Sequence, residues 1–292
     1  MLLPAFAFHE PASIEEALAL KKQFDTKARF LAGGTDLLVY LKRKILTTDH
    51  VISLQHIESL GRIHEDKDAL TIGTCATMSG ISRNPVIREK FPALKSGADN
   101  MGTHLIRNRA TIGGNVCNAS PAGDTLPALL VYDAVALVEN PDGKREIPMT
   151  DLFKGPGRTD LKADEILTGF RLPMPAGHSG SHYIQLGKRK SAEINMVNVA
   201  SFLTFDPETG KIACARIALG SVAPTPIRAH KAEAALTGKI AGNDTFNATA
   251  EIARFEDCRP IDDFRGSAGY RRAMVGVLTK RTLSTAFEQA GA

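Results

Sequence analysis

The spacing of apolar residues along the chain changes several times, and each change marks an element. Ser13-Ile-Glu-Glu16 ahead of ALALKKQF reads as a capping box opening a helix from about Ser13 to Phe24. ARFLA (28–32) is a short apolar run that predicts a strand. Gly33-Gly34-Thr35 interrupts it, and DLLVYLKRK resumes with helical spacing, Asp36 falling in an acidic first turn. HVISL (50–54) predicts a second strand. The start of the chain is therefore a β-α-β-like unit with a glycine turn between strand and helix.

RIHED and ALTIG predict short strands joined by a polar turn, and Thr77 is placed to cap the helix after them. Pro85 and Pro92 divide residues 77–99 into short helices. Thr125 to Tyr132 has helical spacing, AVALVEN (134–140) predicts a strand, PDGK a turn into REIPM, and EILTGFRLP (165–173) a closing strand. MPAGHSGSH (174–182) is small, polar and Gly-rich, and reads as a boundary linker. Beyond it YIQLGKRK, MVNVASFLTF and IACARIALGS alternate as strands do, with DPETG as a hairpin turn. Helices follow near 229–237 and 244–255. A final amphipathic helix carries Tyr270, Met274, Val277, Leu278 and Phe287 on roughly one face. The fold class is α+β. Residues 1–175 form one domain with subdomains of about 1–57 and 58–175, and 176–292 form a smaller domain of antiparallel sheet backed by helices.

Composition and charge narrow the function by exclusion. The 292 residues are 43% hydrophobic and 23% charged with a net charge of +4, and the charges are interspersed, which leaves no basic arm for nucleic acid. No apolar run reaches the ~18 residues that suggest a membrane span. MLLPAFAFHEP lacks the basic start and cleavage site of a secretory signal, so the cytoplasm is expected. Cys75, Cys117, Cys214 and Cys258 are widely separated and form no zinc or iron–sulfur pattern. Cys117 is expected to be a small packed thiol, and no metal is expected on this chain. His178 and His182 fall in the linker and read as solvated. Lys188-Arg189-Lys190 reads as a solvated strand end or as a contact for phosphate or a partner subunit.

Residues 108–125, NRATIGGNVCNASPAGDT, hold too few regularly placed apolar residues for a core strand or helix. They contain a second glycine pair. Glycine admits positive φ and lets a ligand approach the backbone. Successive amides at such turns make concave anion sites, and a following helix adds its N-terminal dipole. AGGTDLL has that arrangement, and TIGGN repeats the theme. Two separated donor-rich turns suit a pyrophosphate gripped from both sides, as in a dinucleotide. Neither a Rossmann site nor a P-loop is indicated, because the chain contains neither G-x-G-x-x-G nor G-x-x-x-x-G-K-S/T.

RFLAGGTDLL, IRNRATIGGNVCNASPAGDTLPALL and DEILTGFRLP together resemble the FAD-binding medium subunit of molybdenum hydroxylases, the xanthine dehydrogenase and carbon monoxide dehydrogenase family, over nearly the whole chain. The resemblance implies an N-terminal domain of the vanillyl-alcohol-oxidase (PCMH-like) type holding FAD between two subdomains. The first FAD loop would be Phe30, Leu31, Ala32, Gly33, Gly34, Thr35, Asp36 and Leu37, with the glycines and Thr35 at the pyrophosphate. Thr111, Ile112, Gly113, Gly114 and Asn115 would be the second. Asp124 would hold polar groups of the cofactor, Leu167 would be an apolar contact, and Met101 and Ile194 would neighbour the isoalloxazine. Where members often carry a lysine, this chain has Gln185, with Lys188 or Arg189 nearby as substitute cations.

The resemblance further implies an electron-transfer subunit without catalytic side chains of its own. A large molybdenum-cofactor subunit and a small subunit with 2Fe–2S clusters would be its partners in a heterohexamer. NAD, a quinone or another acceptor would take the electrons. No iron–sulfur cluster is expected here. Two other readings stay open: a stand-alone flavin oxidoreductase, and a non-catalytic assembly subunit.

Overall fold

The computed structural model describes residues 2–189 and 191–291. The chain opens with β1 (Ala7–His9), α1 (Ile14–Phe24), β2 (Ala28–Leu31), α2 (Leu37–Lys42) and β3 (His50–Ser53). The three strands form a parallel sheet in the order β1-β3-β2. β3 lies in the middle, and its Val51 and Ile52 are fully buried on opposite faces. Ser13 caps α1 as its sequence predicts, its Oγ accepting from the Glu16 N–H at 3.2 Å. The helix closes over the sheet through Ala17 and Leu18, which join Ala28, Ile52 and Leu54 in one cluster.

The middle of the chain contains β4 (Ile63–Glu65), β5 (Ala69–Gly73), α3 (Met78–Arg83), α4 (Pro85–Lys90), α5 (Pro92–Asn100), α6 (His104–Arg107), α7 (Ile112–Asn118), α8 (Leu126–Val131), β6 (Val135–Asn140), β7 (Gly143–Pro148), α9 (Met149–Leu152), β8 (Phe153–Gly155), β9 (Arg158–Thr159) and β10 (Ile166–Pro173). Five of these strands make an antiparallel sheet in the order β4-β5-β10-β6-β7. Pro85 and Pro92 each start a helix, where a missing N–H costs nothing. Thr77 and Asn84 cap the preceding and following turns.

Beyond a link at 174–178, the chain forms β11 (Ser179–Leu186), β12 (Val197–Phe205), β13 (Ile212–Gly220), β14 (Ile227–Arg228), α10 (His230–Leu236), α11 (Asn243–Ile252) and α12 (Ala268–Gln289). The four strands pair antiparallel in chain order. One face of this sheet packs under α12. The other contributes Tyr183, Ala200, Phe202 and Ala218 to the core of the middle unit, beside Phe91 and Tyr132.

Three sequence expectations change. Residues 108–125 are not without regular structure, because Thr111 caps a real helix over Ile112–Asn118. GHSGSH is not a solvated linker: from Ser179 onward it is strand. A Cβ on Gly180 would stand 1.9 Å from the Ala286 carbonyl oxygen, so the small residues there are what let α12 lie on the sheet. His182 is half-buried in β11. Finally, α12 buries Arg271, Val275, Thr279, Thr282, Leu283 and Ala286 alongside Leu278. Tyr270 and Val277 are exposed, 45% and 38%, while Met274 and Phe287 pack at the margin. The close approach selects small and polar residues, such as Thr282 hydrogen-bonded to Ser201 at 2.7 Å, over the largest apolar ones.

Candidate functional site

After β2 the chain turns through Ala32, Gly33, Gly34, Thr35 and Asp36 into α2. Gly34 takes φ +78°, which a side-chain-bearing residue adopts at a cost. The amides of Gly33, Gly34, Thr35 and Asp36 have no backbone acceptor among the described residues. Four free N–H groups in succession form a concave donor surface suited to an anion. The helix behind them has six residues, so these local amides, more than a long helix dipole, carry the attraction. Asp36 sits just before the first turn and makes no capping bond, and burial raises its carboxyl above the ordinary range.

The second glycine pair works differently from its sequence expectation. The Ile112 and Gly113 amides donate to the Ala76 and Thr74 carbonyls, and the Gly114 and Asn115 amides to the Thr111 Oγ and carbonyl. None of the four is left for a ligand. These glycines serve close packing, since a Cβ on Gly113 would stand 1.7 Å from the Thr74 Oγ. Asn115 accepts from the Thr125 N–H and hydroxyl through its Oδ1, tying α7 to the start of α8. The free donors on this side are the Thr77 and Thr111 amides, which belong to one isolated bridge and lack backbone acceptors.

Both loops face one cleft of about 450 Å³, lined by Ala32 and Gly33 on one side and Asn108, Arg109 and Thr111 on the other, with Gln55, Arg62 and Thr77 between. The walls are tied together. Arg109 Nη2 donates to Gln55 Oε1 at 2.9 Å, and Gln55 Nε2 donates to the Ala32 carbonyl at 2.6 Å. Glu58 also lines the cleft and pairs with Arg62 at 2.8 Å, so the charge left for an anion is that of Arg109, beside amides and hydroxyls, a set that fits a pyrophosphate. Arg62, Arg109 and Gln55 escaped the sequence reading, and Thr77 is expected there only as a helix cap; Arg109 lies two residues ahead of Thr111.

A second group gathers where the middle unit meets the last sheet. Asp124 Oδ1 accepts from Asn195 Nδ2 at 2.9 Å. Burial pushes the Asp124 carboxyl up to about 6, against the pull of that bond. Tyr183 accepts from Asn198 Nδ2 at 3.1 Å and donates to Gln185 Oε1 at 3.4 Å. Gln185 Nε2 reaches the Asn100 carbonyl at 3.5 Å, beside Met101, and the Ala192 amide donates to the Gly102 carbonyl. Asp124, Met101, Gln185 and Ile194 therefore share this seam, with Ile194 52% exposed and Met101 buried. Asn195, Asn198 and Tyr183 were not foreseen; two asparagines at the head of an apolar strand were the available signal.

Phe30, Leu31, Leu37, Ile112 and Leu167 are packing side chains. Leu31 and Leu37 share a cluster with Leu41, Phe30 packs under α1, and Ile112 and Leu167 lie in the middle core, Leu167 at a bulge of β10. Lys188 and Arg189 do not replace a cation at Gln185. Lys188 Nζ donates to the Phe264 carbonyl, and Arg189 pairs with Glu193 at 2.9 Å. Lys190 lies outside the described residues. Cys117 is not packed away, because its residue is exposed at the end of α7. No helix among the described residues is long and apolar enough to cross a membrane.

Residues 4–175 match the family described as FAD binding domain in molybdopterin dehydrogenase, and 182–286 match the CO dehydrogenase flavoprotein C-terminal domain. The chain is 32% identical to the carbon monoxide dehydrogenase medium chain of Hydrogenophaga pseudoflava, covering 98% of this chain and 99% of that one. It is 31% identical to the xanthine dehydrogenase FAD-binding subunit of Escherichia coli O157:H7, covering 98% and 97%. Among solved structures, carbon monoxide dehydrogenase from H. pseudoflava superposes with a TM-score of 0.94 at 32% identity over 99% of both chains. Quinoline 2-oxidoreductase from Pseudomonas putida 86 gives 0.92 at 28% over the full length of both.

Proposed function

The chain belongs to the family of FAD-binding subunits of molybdenum hydroxylases, and from that premise we propose that it is the electron-transfer subunit of such a complex. Residues 1–175 are its FAD-binding domain, with subdomains meeting near 57, and 176–292 its second domain. The observation that carries the reading is the single cleft between Gly33 and Arg109, walled by free amides and bridged by Gln55.

In this assignment the Gly33–Asp36 amides and Arg109 hold the pyrophosphate. The Thr77 and Thr111 amides add donors from the facing wall. Gly113, Gly114 and Asn115 set the position of that wall and do not grip the ligand themselves. Asp124 accepts hydrogen bonds from cofactor hydroxyls, and Met101, Gln185 and Ile194 stand beside the isoalloxazine. Bound FAD supplies one- and two-electron redox chemistry, which the surrounding protein orients and tunes. Lys188 and Arg189 are held elsewhere, so neither stands at Gln185 to favour an anionic reduced ring.

The partners are a large molybdenum-cofactor subunit and a small 2Fe–2S subunit in a cytoplasmic heterohexamer, with NAD as one acceptor. Affinity purification of the tagged chain from its native host tests this. The expected result is two co-eluting subunits with iron, molybdenum and FAD in fixed ratio. A chain that elutes alone with FAD and oxidises a substrate unaided would contradict it.

A further inference from the structure

Pro121, Ala122, Gly123 and Asp124 form a loop of the first domain that the second domain holds residue by residue. The Ser221 amide donates to the Pro121 carbonyl at 2.8 Å. Asn195 Nδ2 donates to the Ala122 carbonyl at 3.1 Å and to Asp124 Oδ1 at 2.9 Å. Asn198 Nδ2 donates to the Gly123 carbonyl at 3.2 Å. Ser221 sits at φ +64° and its hydroxyl in turn fixes the Asn195 carbonyl at 2.9 Å.

Asn195 and Asn198 are 1% and 0% exposed, and the Oδ1 of each is buried without a partner. A buried acceptor left unpaired is costly, so these amides stand in the seam for what their Nδ2 groups donate. The Asn195 amide directs its two hydrogens at the Ala122 carbonyl and the Asp124 carboxylate, its two nearest acceptors, with the Tyr183 hydroxyl farther off at 3.5 Å. The geometry points to Asn195 as the residue that positions Asp124 for the cofactor, its amide holding both the loop backbone and the carboxylate. The inference rests on the FAD reading above.

The charged groups around Asp124 do not perform this task. On α5, where a Cβ on Gly97 would stand 2.7 Å from the Asp124 carbonyl oxygen, Lys95 and Asp99 pair with each other at 2.7 Å. Glu193 pairs with Arg189, and Arg271 of α12 donates to the Ser221 carbonyl at 2.8 Å. The Tyr183 phenol of β11 is held far above its ordinary range by burial and stays neutral. Asn195 is therefore the side chain that stabilises the charge, and removing its amide raises the carboxyl further.

The test is titration of the cofactor-stripped chain with FAD across ~pH 5–8, read by quenching of flavin fluorescence. In the wild type, affinity is expected to be flat above ~pH 7 and to weaken as Asp124 takes up its proton. Asn195→Leu should move that midpoint up by about half a pH unit or more. Asn195→Ser, keeping at most one donor, should move it in the same direction. Asn198→Leu removes the neighbouring amide that touches the loop but no carboxylate; it should lower the melting temperature and leave the midpoint in place. Asp124→Asn should abolish the pH step. A wild-type midpoint in both Asn195 variants, or an unchanged step in Asp124→Asn, overturns the inference. A wild type that binds no FAD at any pH overturns the function proposed above, and this inference with it.

Discussion

Gly33 lies so close to Arg109 that a Cβ on it would stand 2.0 Å from the Arg109 carbonyl oxygen. The obstructing atom is backbone, so Gly33→Ala must push the two cleft walls apart. We expect it to weaken FAD binding about tenfold or more, ~1.4 kcal/mol. Gly61 lines the same cleft with nothing within 4 Å of its Cβ position. Gly61→Ala should stay within ~0.5 kcal/mol of wild type. Equal losses in the two variants, measured by FAD titration, would show that the close approach is not what shapes the site.

Asp124 makes the stability of the FAD-free chain depend on pH with a definite sign. Its folded-state carboxyl is raised to about 6 from an ordinary 3.8. The folded state therefore binds the proton more tightly than the unfolded one. This contribution is present in full below 3.8 and is lost as pH rises towards 6. Wild type minus Asp124→Asn, compared by urea unfolding, should show stability falling with rising pH through that window. A flat difference would mean that the carboxyl is not buried as described.

These two residues also show how far the sequence could be read. Gly33 and the AGGT turn were legible because a strand, two glycines and a helix stand next to each other in the chain. The strands, the proline-started helices and the order of the domains follow from local patterns of the same kind. TIGGN does not act as a second donor turn because the Ile112 and Gly113 amides are consumed by Ala76 and Thr74, partners some forty residues earlier, and the Gly114 and Asn115 amides by Thr111. Asn195 and Arg109 act across seams between distant segments, and spacing along one chain carries no record of such a meeting. The faces of α12 were misplaced because Gly180, far away in sequence, lets the helix approach its sheet closely enough to favour small residues.

Asp133 should hold the two domains together. It sits at φ +49° after α8 and takes Arg216 Nη2 and Arg228 Nη1, each at 2.7 Å. Asp133→Ala leaves the nearly buried Arg228 with Glu233 and the Leu130 carbonyl. A loss of about 1–3 kcal/mol is expected. The link at 174–178 should become more sensitive to protease. Unchanged cleavage would leave the seam to its apolar contacts and to the hydrogen bonds on the Pro121–Asp124 loop.

If Gln185 stands beside the isoalloxazine as proposed, Gln185→Lys should place a cation there. Stabilising the anionic reduced form by on the order of 1 kcal/mol raises a two-electron midpoint potential by ~20 mV. Spectroelectrochemical titration reads this directly. An unchanged or lower potential would remove Gln185 from the flavin's surroundings.

The most direct test of the account is the visible absorption spectrum of the purified chain, followed by heat release and mass identification of whatever colours it. The account predicts flavin bands near ~370 and ~450 nm and about one FAD per chain. A colourless, folded chain that takes up no FAD, even alongside its partner subunits, would contradict it and leave the assembly-subunit reading in its place.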